Sequence, residues 1–314
     1  MPGRNERRRP RPARDGADPD TGVTLRILVT GAAGQVGSEV VAELERRAAE
    51  RVRGGRWYIA ATTRAQLDVS SRDSVFAAVA SAEPQVIIHP AAWTAVDACE
   101  ADPDRAFRIN ALGTRHVAEA ARLVGAHVCY LSTDYVFDGR SERPYNEWDE
   151  PAPTSVYGRS KLGGERELDR SATIVRTAWV NGRQGPNMAK TVLRLAQQSE
   201  TLRFVDDQRG SPTVASDLAA KVVDLALSRR PGTYHVTNQG ETTWYGFARE
   251  VLRIAGADPG RVEPIATADL VPSRPARRPA CSVLDNAALR LAGDELLPRW
   301  EESLARLVSE LLGD

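Results

Sequence analysis

One stretch limits the fold more than any other. Leu25-Arg26-Ile27-Leu28-Val29 is a short apolar run that ends at Thr30-Gly31. Gly31-Ala32-Ala33-Gly34-Gln35-Val36-Gly37 follows, and Val36, Val40 and Leu44 then recur at helical spacing towards Glu50. Strand, glycine turn, helix is the context that a dinucleotide fingerprint needs. Gly31 permits the tight turn, Gly34 admits a pyrophosphate against the backbone, and Gly37 lets helix pack on strand. The helix N-terminus would face the phosphates.

The chain continues in the same alternation. Trp57–Ala61 reads as a second strand, Gln66-Leu67-Asp68-Val69 as a short third, and Ser70/Ser71 cap a helix through Ala82. Gln85-Val86-Ile87-Ile88-His89 reads as a strand with the apolar run that a buried parallel sheet requires, and it ends in Pro90 and the small residues Ala91 and Ala92. Asp104–Leu123 is expected as one helix with Phe107, Ala111, Val117 and Ala118 on one side, and His127–Leu131 as a strand. Such alternation implies an α/β chain with a Rossmann-type, doubly wound parallel sheet and crossover helices. The second strand ends in Thr62-Thr63-Arg64, with no carboxylate to take ribose hydroxyls. That favours NADP(H), with Arg64 as partner of a 2′-phosphate, over NAD(H) as second choice. His89 and His116 have no companion at ligand spacing and read as structural or exposed, and Cys129 as core.

Tyr157 and Lys161 stand one helical turn apart, so a phenol and an ammonium share a face. Of 42 Lys+Arg, only Lys161, Lys190 and Lys221 are lysine. A compact ammonium with a tunable pKa suits acid–base work in a way that a guanidinium does not. Alone, the pair is also what a solvated helix face would show. Upstream, the strand ending at Leu131 runs into Ser132-Thr133-Asp134-Tyr135, whose hydroxyls would meet a ligand beyond the strand's carboxyl end.

After Arg176 the pattern changes. Helices are expected over 187–198, 216–227, 243–255 and 298–312, strands over 202–205 and 233–237, and a Pro- and Arg-rich loop over 257–280. We therefore expect an N-terminal extension (1–23, six Arg and four Pro, disordered), a dinucleotide-binding domain (24–178) and a smaller substrate-binding part (179–314), with about 211–240 returning to the first domain.

Composition excludes several classes. Formal net charge is zero, which gives no general case for nucleic acid or membrane surface. Three scattered cysteines suit a reducing cytoplasm. No apolar run is long enough to span a bilayer.

Taken together, VTGAAGQVG (29–37), AAWTAVDACE (91–100), STDYVFDG (132–139), YGRSKLGGE (157–165), RTAWV (176–180) and DDQRGSPT (206–213) are specific. In that order the chain resembles the dTDP-4-dehydrorhamnose reductase family of the extended short-chain dehydrogenase/reductase superfamily. The resemblance implies reduction of the C4 ketone of a dTDP-linked 4-keto-6-deoxysugar, with Thr133 orienting the carbonyl, Tyr157 as general acid and Lys161 lowering its pKa. It implies Gly31, Gly34, Gln35, Val36, Arg64, Asp68, Val69, Ala91, Ala92, Thr94, Tyr157 and Lys161 against the cofactor. Thr133, Asp134, Tyr135, Trp179, Asn187, Gln208 and Thr213 would meet the sugar nucleotide. Some members bind Mg²⁺ at a dimer interface; Glu39, Asp206 and Asp207 are weak candidates here, no metal is the favoured reading, and a homodimer is allowed. His89-Pro90 and Asn181 depart from the family's usual Asn-Ala and aromatic. The alternatives are a 4-ketoreductase of another deoxysugar and a non-catalytic NADP-binding subunit, whose mark would be loss of Tyr157 or Lys161.

Overall fold

The structure is a computed structural model that describes residues 23–50 and 56–313. All but the last residue of the expected N-terminal extension lies outside the described residues.

Among the described residues the strands are β1 (Val23–Thr30), β2 (Arg56–Thr62), β3 (Val86–His89), β4 (His127–Thr133), β5 (Thr173–Thr177), β6 (Val180–Asn181), β7 (Leu202–Val205), β8 (Arg209–Gly210), β9 (Thr213–Val214), β10 (Gly232–His235), β11 (Thr242–Thr243) and β12 (Val262–Ile265). The α-helices are α1 (Gln35–Glu50), α2 (Arg72–Ala82), α3 (Val96–Ala101), α4 (Pro103–Phe107), α5 (Gly113–Val124), α6 (Val156–Arg166), α7 (Met188–Gln198), α8 (Ala215–Leu227), α9 (Trp244–Ile254), α10 (Ala287–Leu291) and α11 (Trp300–Leu312).

Six strands form one parallel sheet in the order β2-β1-β3-β4-β5-β10. Its faces follow from the period of two along each strand. Ile27, Val29, Val86 and Ile88 point into a cluster with Val40 and Leu44 of α1 and Leu218 to Ala226 of α8. Leu28 and Ile87 point the other way, against Val75 and Val79 of α2 and Val117 to Ala121 of α5. Helices on both faces make the sheet doubly wound. The chain reverses direction between β2 and β3 on either side of β1, which places a crevice at the carboxyl ends of β1 and β3.

A third cluster lies off the sheet. Val192 of α7, Phe247 and Leu252 of α9, Trp300 and Leu304 of α11 and Phe204 of β7 bury one another. Beside it, β7 and β12 pair in parallel.

Three expectations are corrected. Gln66–Val69 is not a strand. The Gln66 and Leu67 amides close a turn on the Thr63 carbonyl, so they cannot join the sheet, although Leu67 and Val69 are buried. The helix expected over 104–123 is interrupted by a π-helical turn, Arg108–Leu112, closed by a bond from the Gly113 amide to the Arg108 carbonyl. The extra residue rotates the apolar face, leaving Phe107 41% exposed while Val117 and Ala118 are buried. The 257–280 loop contains β12, because its partner β7 lies about sixty residues earlier and local composition carries no trace of it. Among the described residues, no helix is long and apolar enough to cross a membrane.

Candidate active site

The glycine turn is shaped by what it leaves out. Gly31 has φ +62°, and a Cβ there would lie 2.9 Å from the Ala91 Cα. A Cβ on Gly37 would lie 2.2 Å from the Gly31 carbonyl oxygen, so only glycine lets α1 start so close to β1. Beyond the turn opens a cavity of about 350 Å³. Of the residues expected to hold a cofactor, Gly31, Gly34, Arg64, Asp68, Val69, Ala91 and Ala92 line it. Pro90, Trp93 and Ile109 line it too and were not foreseen. Small walls at a helix N-terminus, with one arginine at the mouth, fit a dinucleotide phosphate.

Gln35 is turned elsewhere. Its Nε2 donates to the Val180 carbonyl at 2.7 Å and its Oε1 accepts from Asn187 Nδ2 at 3.3 Å. Val36 packs under the sheet. Thr94 is exposed on the loop before α3. Asp68 accepts from the Ser70 amide and hydroxyl at 2.9 and 2.7 Å, and these bonds hold its carboxyl below the ordinary range.

His89 directly precedes the cavity residue Pro90. Its ring meets Thr30 Oγ1 at 2.7 Å and Thr114 Oγ1 at 3.3 Å, tying the end of β1 to α5. Complete burial, and then the charge of Lys161, push its pKa down to about 3, so the ring is neutral. His116 is likewise structural, bonded to the Val69 carbonyl at 3.0 Å. Asn110, within the π turn, takes the Trp93 amide at 2.8 Å and donates to the Trp93 carbonyl and Ser160 Oγ at 3.1 and 2.9 Å. It thereby fixes the Trp93 wall to α6.

The catalytic candidates meet at the carboxyl end of β4. Ser155 caps α6 by accepting from the Gly158 amide at 3.1 Å, which sets the start of the helix carrying Tyr157 and Lys161. Thr133, Tyr157 and Lys161 are 6%, 8% and 2% exposed, so the pair is not a solvated helix face. Thr133 Oγ1 donates to Asp134 Oδ1 at 2.9 Å and accepts from the Tyr135 amide at 3.2 Å. The Tyr135 and Tyr157 rings meet edge to face at 5.5 Å.

Burial is the largest influence on the Tyr157 phenol and raises its pKa, with the Thr133 hydrogen bond opposing it. Lys161 Nζ donates to the Leu131 carbonyl at 2.6 Å and stands 4.1 Å over the Tyr130 ring. Burial lowers the lysine itself to about 7, against the pull of Glu165. Asp134 is raised to about 6 by burial, against hydrogen bonds from Ser282 and Thr133, and its Oδ2 has no hydrogen-bond partner among the described residues.

The candidates for the sugar nucleotide lie towards the third cluster. Trp179 has φ +44°, costly for a bulky residue, and its indole stacks on Trp244 at 3.5 Å and 5°. Asn181 supports it, donating to the Trp179 carbonyl at 2.8 Å and accepting from the Ala189 amide at 3.0 Å. Asn187 caps α7 and donates to the Gly182 carbonyl at 2.7 Å. Gln208 donates to Thr267 Oγ1 at 2.9 Å, and Thr213 is fully buried with its hydroxyl on the Ser211 carbonyl at 3.3 Å.

The magnesium candidates do not assemble. Arg183 holds both oxygens of Glu39, at 2.9 and 2.8 Å. Asp206 accepts from Thr243 at 2.6 Å and Asp207 from the Thr267 amide and hydroxyl. Among the described residues no three metal-capable side chains converge. Within one chain these carboxylates are committed to other partners and do not come together around an ion.

Comparison with known proteins agrees with this geometry. The family model described as the RmlD substrate binding domain matches residues 25–312. A dTDP-4-dehydrorhamnose reductase of Streptomyces griseus is 43% identical, over 92% of this chain and 94% of its own. A Streptomyces niveus protein named dTDP-4-keto-6-deoxy-D-glucose reductase is 40% identical, over 93% and 99%. The crystal structure of dTDP-4-dehydrorhamnose reductase from Bacillus anthracis in complex with NADP matches with a TM-score of 0.84 at 38% identity, covering 91% of this chain and 99% of that one. The chain belongs to the dTDP-4-dehydrorhamnose reductase family of the extended short-chain dehydrogenases/reductases.

Proposed function

We propose that this protein reduces the C4 ketone of dTDP-4-dehydro-L-rhamnose to give dTDP-L-rhamnose, with NADPH as reductant. The observation that carries this reading is the burial of Thr133, Tyr157 and Lys161 at the end of β4, with Tyr157 in one cluster with Trp93 of the glycine-turn cavity. The Bacillus anthracis relative solved with NADP supports the choice of cofactor. Gly31, Gly34, Ala91 and Ala92 would hold the dinucleotide, with Arg64 at the 2′-phosphate. When bound, its nicotinamide supplies the hydride.

The chain's own residues do the rest. The Thr133 hydroxyl orients the sugar carbonyl. As negative charge grows on the ketone oxygen, Tyr157 gives it a proton, and burial keeps the phenol protonated until then. The Lys161 ammonium offsets the charge left on the phenolate and offers a donor to the ribose. Main-chain walls and the Trp93 face exclude water. Residues 24–178 act as the dinucleotide-binding part and 179–314 as the substrate part, with about 211–240 returning to the sheet; Trp179 and its Trp244 stack face the sugar nucleotide. A homodimer belongs to the same reading, and light scattering checks it.

Incubation with dTDP-4-dehydro-L-rhamnose and NADPH should consume the nicotinamide absorbance. A folded protein that leaves it unchanged would refute the reading. The Streptomyces niveus relative, almost as similar, favours a second reading: the same chemistry on another 4-keto-6-deoxysugar. The stereochemistry of the product separates the two. A non-catalytic subunit is disfavoured because Tyr157 and Lys161 are both present.

A further inference from the structure

We infer that Glu165, clamped by Arg176 and Ser132, is the positioning residue that keeps the Lys161 ammonium charged inside the site. The consequence for turnover rests on the reductase reading above; the geometry does not.

On α6, Lys161 and Glu165 lie one turn apart on one face. Both are buried, at 2% and 7% exposure. Glu165 Oε1 accepts from Ser132 Oγ at 2.5 Å and Arg176 Nε at 2.9 Å, and Oε2 accepts from Arg176 Nη2 at 2.7 Å. Three donors on one carboxylate fix its position. The Arg176 guanidinium pairs with both carboxylate oxygens, and such a bidentate pair holds its geometry tightly. Arg176 reaches Glu165 from β5, and the lysine feels the carboxylate as the charge that opposes its burial.

The groups that face the ammonium are Glu165 from its own helix, Tyr130 from β4 and His89 from β3, with Tyr157 one turn back on α6. Arg176 lies one contact further, beyond Glu165, and Asp134 beyond Thr133. Tyr130 and Tyr157 are held protonated by burial, and His89 neutral. The one hydrogen bond from Nζ goes to a carbonyl, Leu131. Burial pulls the lysine towards the neutral amine, and Glu165 opposes it. Without that carboxylate, a neutral amine would neither offset a phenolate nor hold a ribose hydroxyl as a cation.

The competing view is a clamp that only joins α6 to β5. It predicts lost stability from either partner's removal, with no effect on Lys161. The full chain has three lysines. Protein labelled with ¹³C-lysine therefore gives three Cε signals, and Lys161→Met assigns one of them. Titrating that signal without substrate should show a midpoint near neutrality. Glu165→Gln should move it down by about one unit or more. The limb of the kcat–pH profile should follow Glu165→Gln, with KM for the keto sugar within about twofold. If Glu165→Gln does not fold, Ser132→Ala tests the same point by a smaller downward shift. A Lys161 midpoint unmoved in these variants, with only Tm falling, overturns the inference. A midpoint that moves as expected in a protein that reduces no keto sugar overturns the reductase reading and leaves the inference standing.

Discussion

Around the glycine turn, the walls are main chain and small side chains: Gly31, Ala33, Gly34, Ala91 and Ala92. Around the end of β4, the lining is buried polarity: Thr133, Asp134, Tyr157, Lys161, and Glu165 locked to Arg176. The first region is defined by atoms that are missing, the second by charges that burial has moved towards neutrality. A dinucleotide needs space and backbone amides, which sterics alone provide. Proton transfer needs groups poised near the operating pH, and only desolvation with a fixed partner charge provides that. The two regions should therefore fail differently, one through volume and the other through ionisation.

The sharpest break is Tyr157→Phe. It leaves the ring and its packing against Tyr135 but removes the proton. We expect kcat to fall by about a thousandfold or more, with the NADPH Kd unchanged, measured by single-turnover absorbance and by fluorescence titration. Retained turnover would move the general acid elsewhere, and Asp134, raised to about 6, would be the next residue to test.

The same contrast governs what could be read from the chain. The glycine turn is local: strand, turn and helix are contiguous from Leu25 to Glu50, and their spacing carries the geometry. Tyr157, Lys161 and the Ser155 cap also share one short segment, α6. The partners that tune them do not. Arg176 reaches Glu165 from β5, and Trp244 reaches Trp179 from α9. Glu165 left a faint trace, one turn beyond Lys161, and Arg176 another, a charge inside an otherwise β-forming run. The π turn at Asn110 left none, because its ordinary helical sequence differs only in hydrogen-bond register.

On the steric side, Gly37→Ala should cost about 1–3 kcal/mol, since its Cβ would meet the Gly31 carbonyl at 2.2 Å and α1 would have to move. Urea unfolding should show the loss, and NADPH binding should weaken with it. A neutral result would mean that the turn yields and that its shape is not set by volume.

Ionisation governs acid stability. His89 and His235 are each lowered from 6.5 to about 3 by burial. A lowered histidine binds its proton in the unfolded chain first, so its contribution is complete above pH 6.5 and is lost as pH falls below it. Asp134, raised to about 6, acts in the other direction below that pH. The balance is a loss of about 2–3 kcal/mol between pH 7 and 5, measured by urea unfolding. His89→Asn, able to bond Thr30, should remove about 2 kcal/mol of that loss. An unchanged pH dependence would show that His89 is not the buried neutral ring found here.

The smallest effect should fall on Arg64, the one cationic side chain among the described residues that line the cavity. It is exposed, and water and salt screen its charge, so it cannot govern the site as a buried group does. A phosphate at the mouth would still feel it through a charge-assisted hydrogen bond. Arg64→Ala should therefore weaken NADPH by about tenfold at low salt, leave NADH within about twofold, and lose most of its effect as ionic strength rises. Equal weakening of both cofactors would mean that Arg64 shapes the cavity rather than reads the 2′-phosphate. The cofactor side of the site would then be steric throughout, with charge confined to the end of β4.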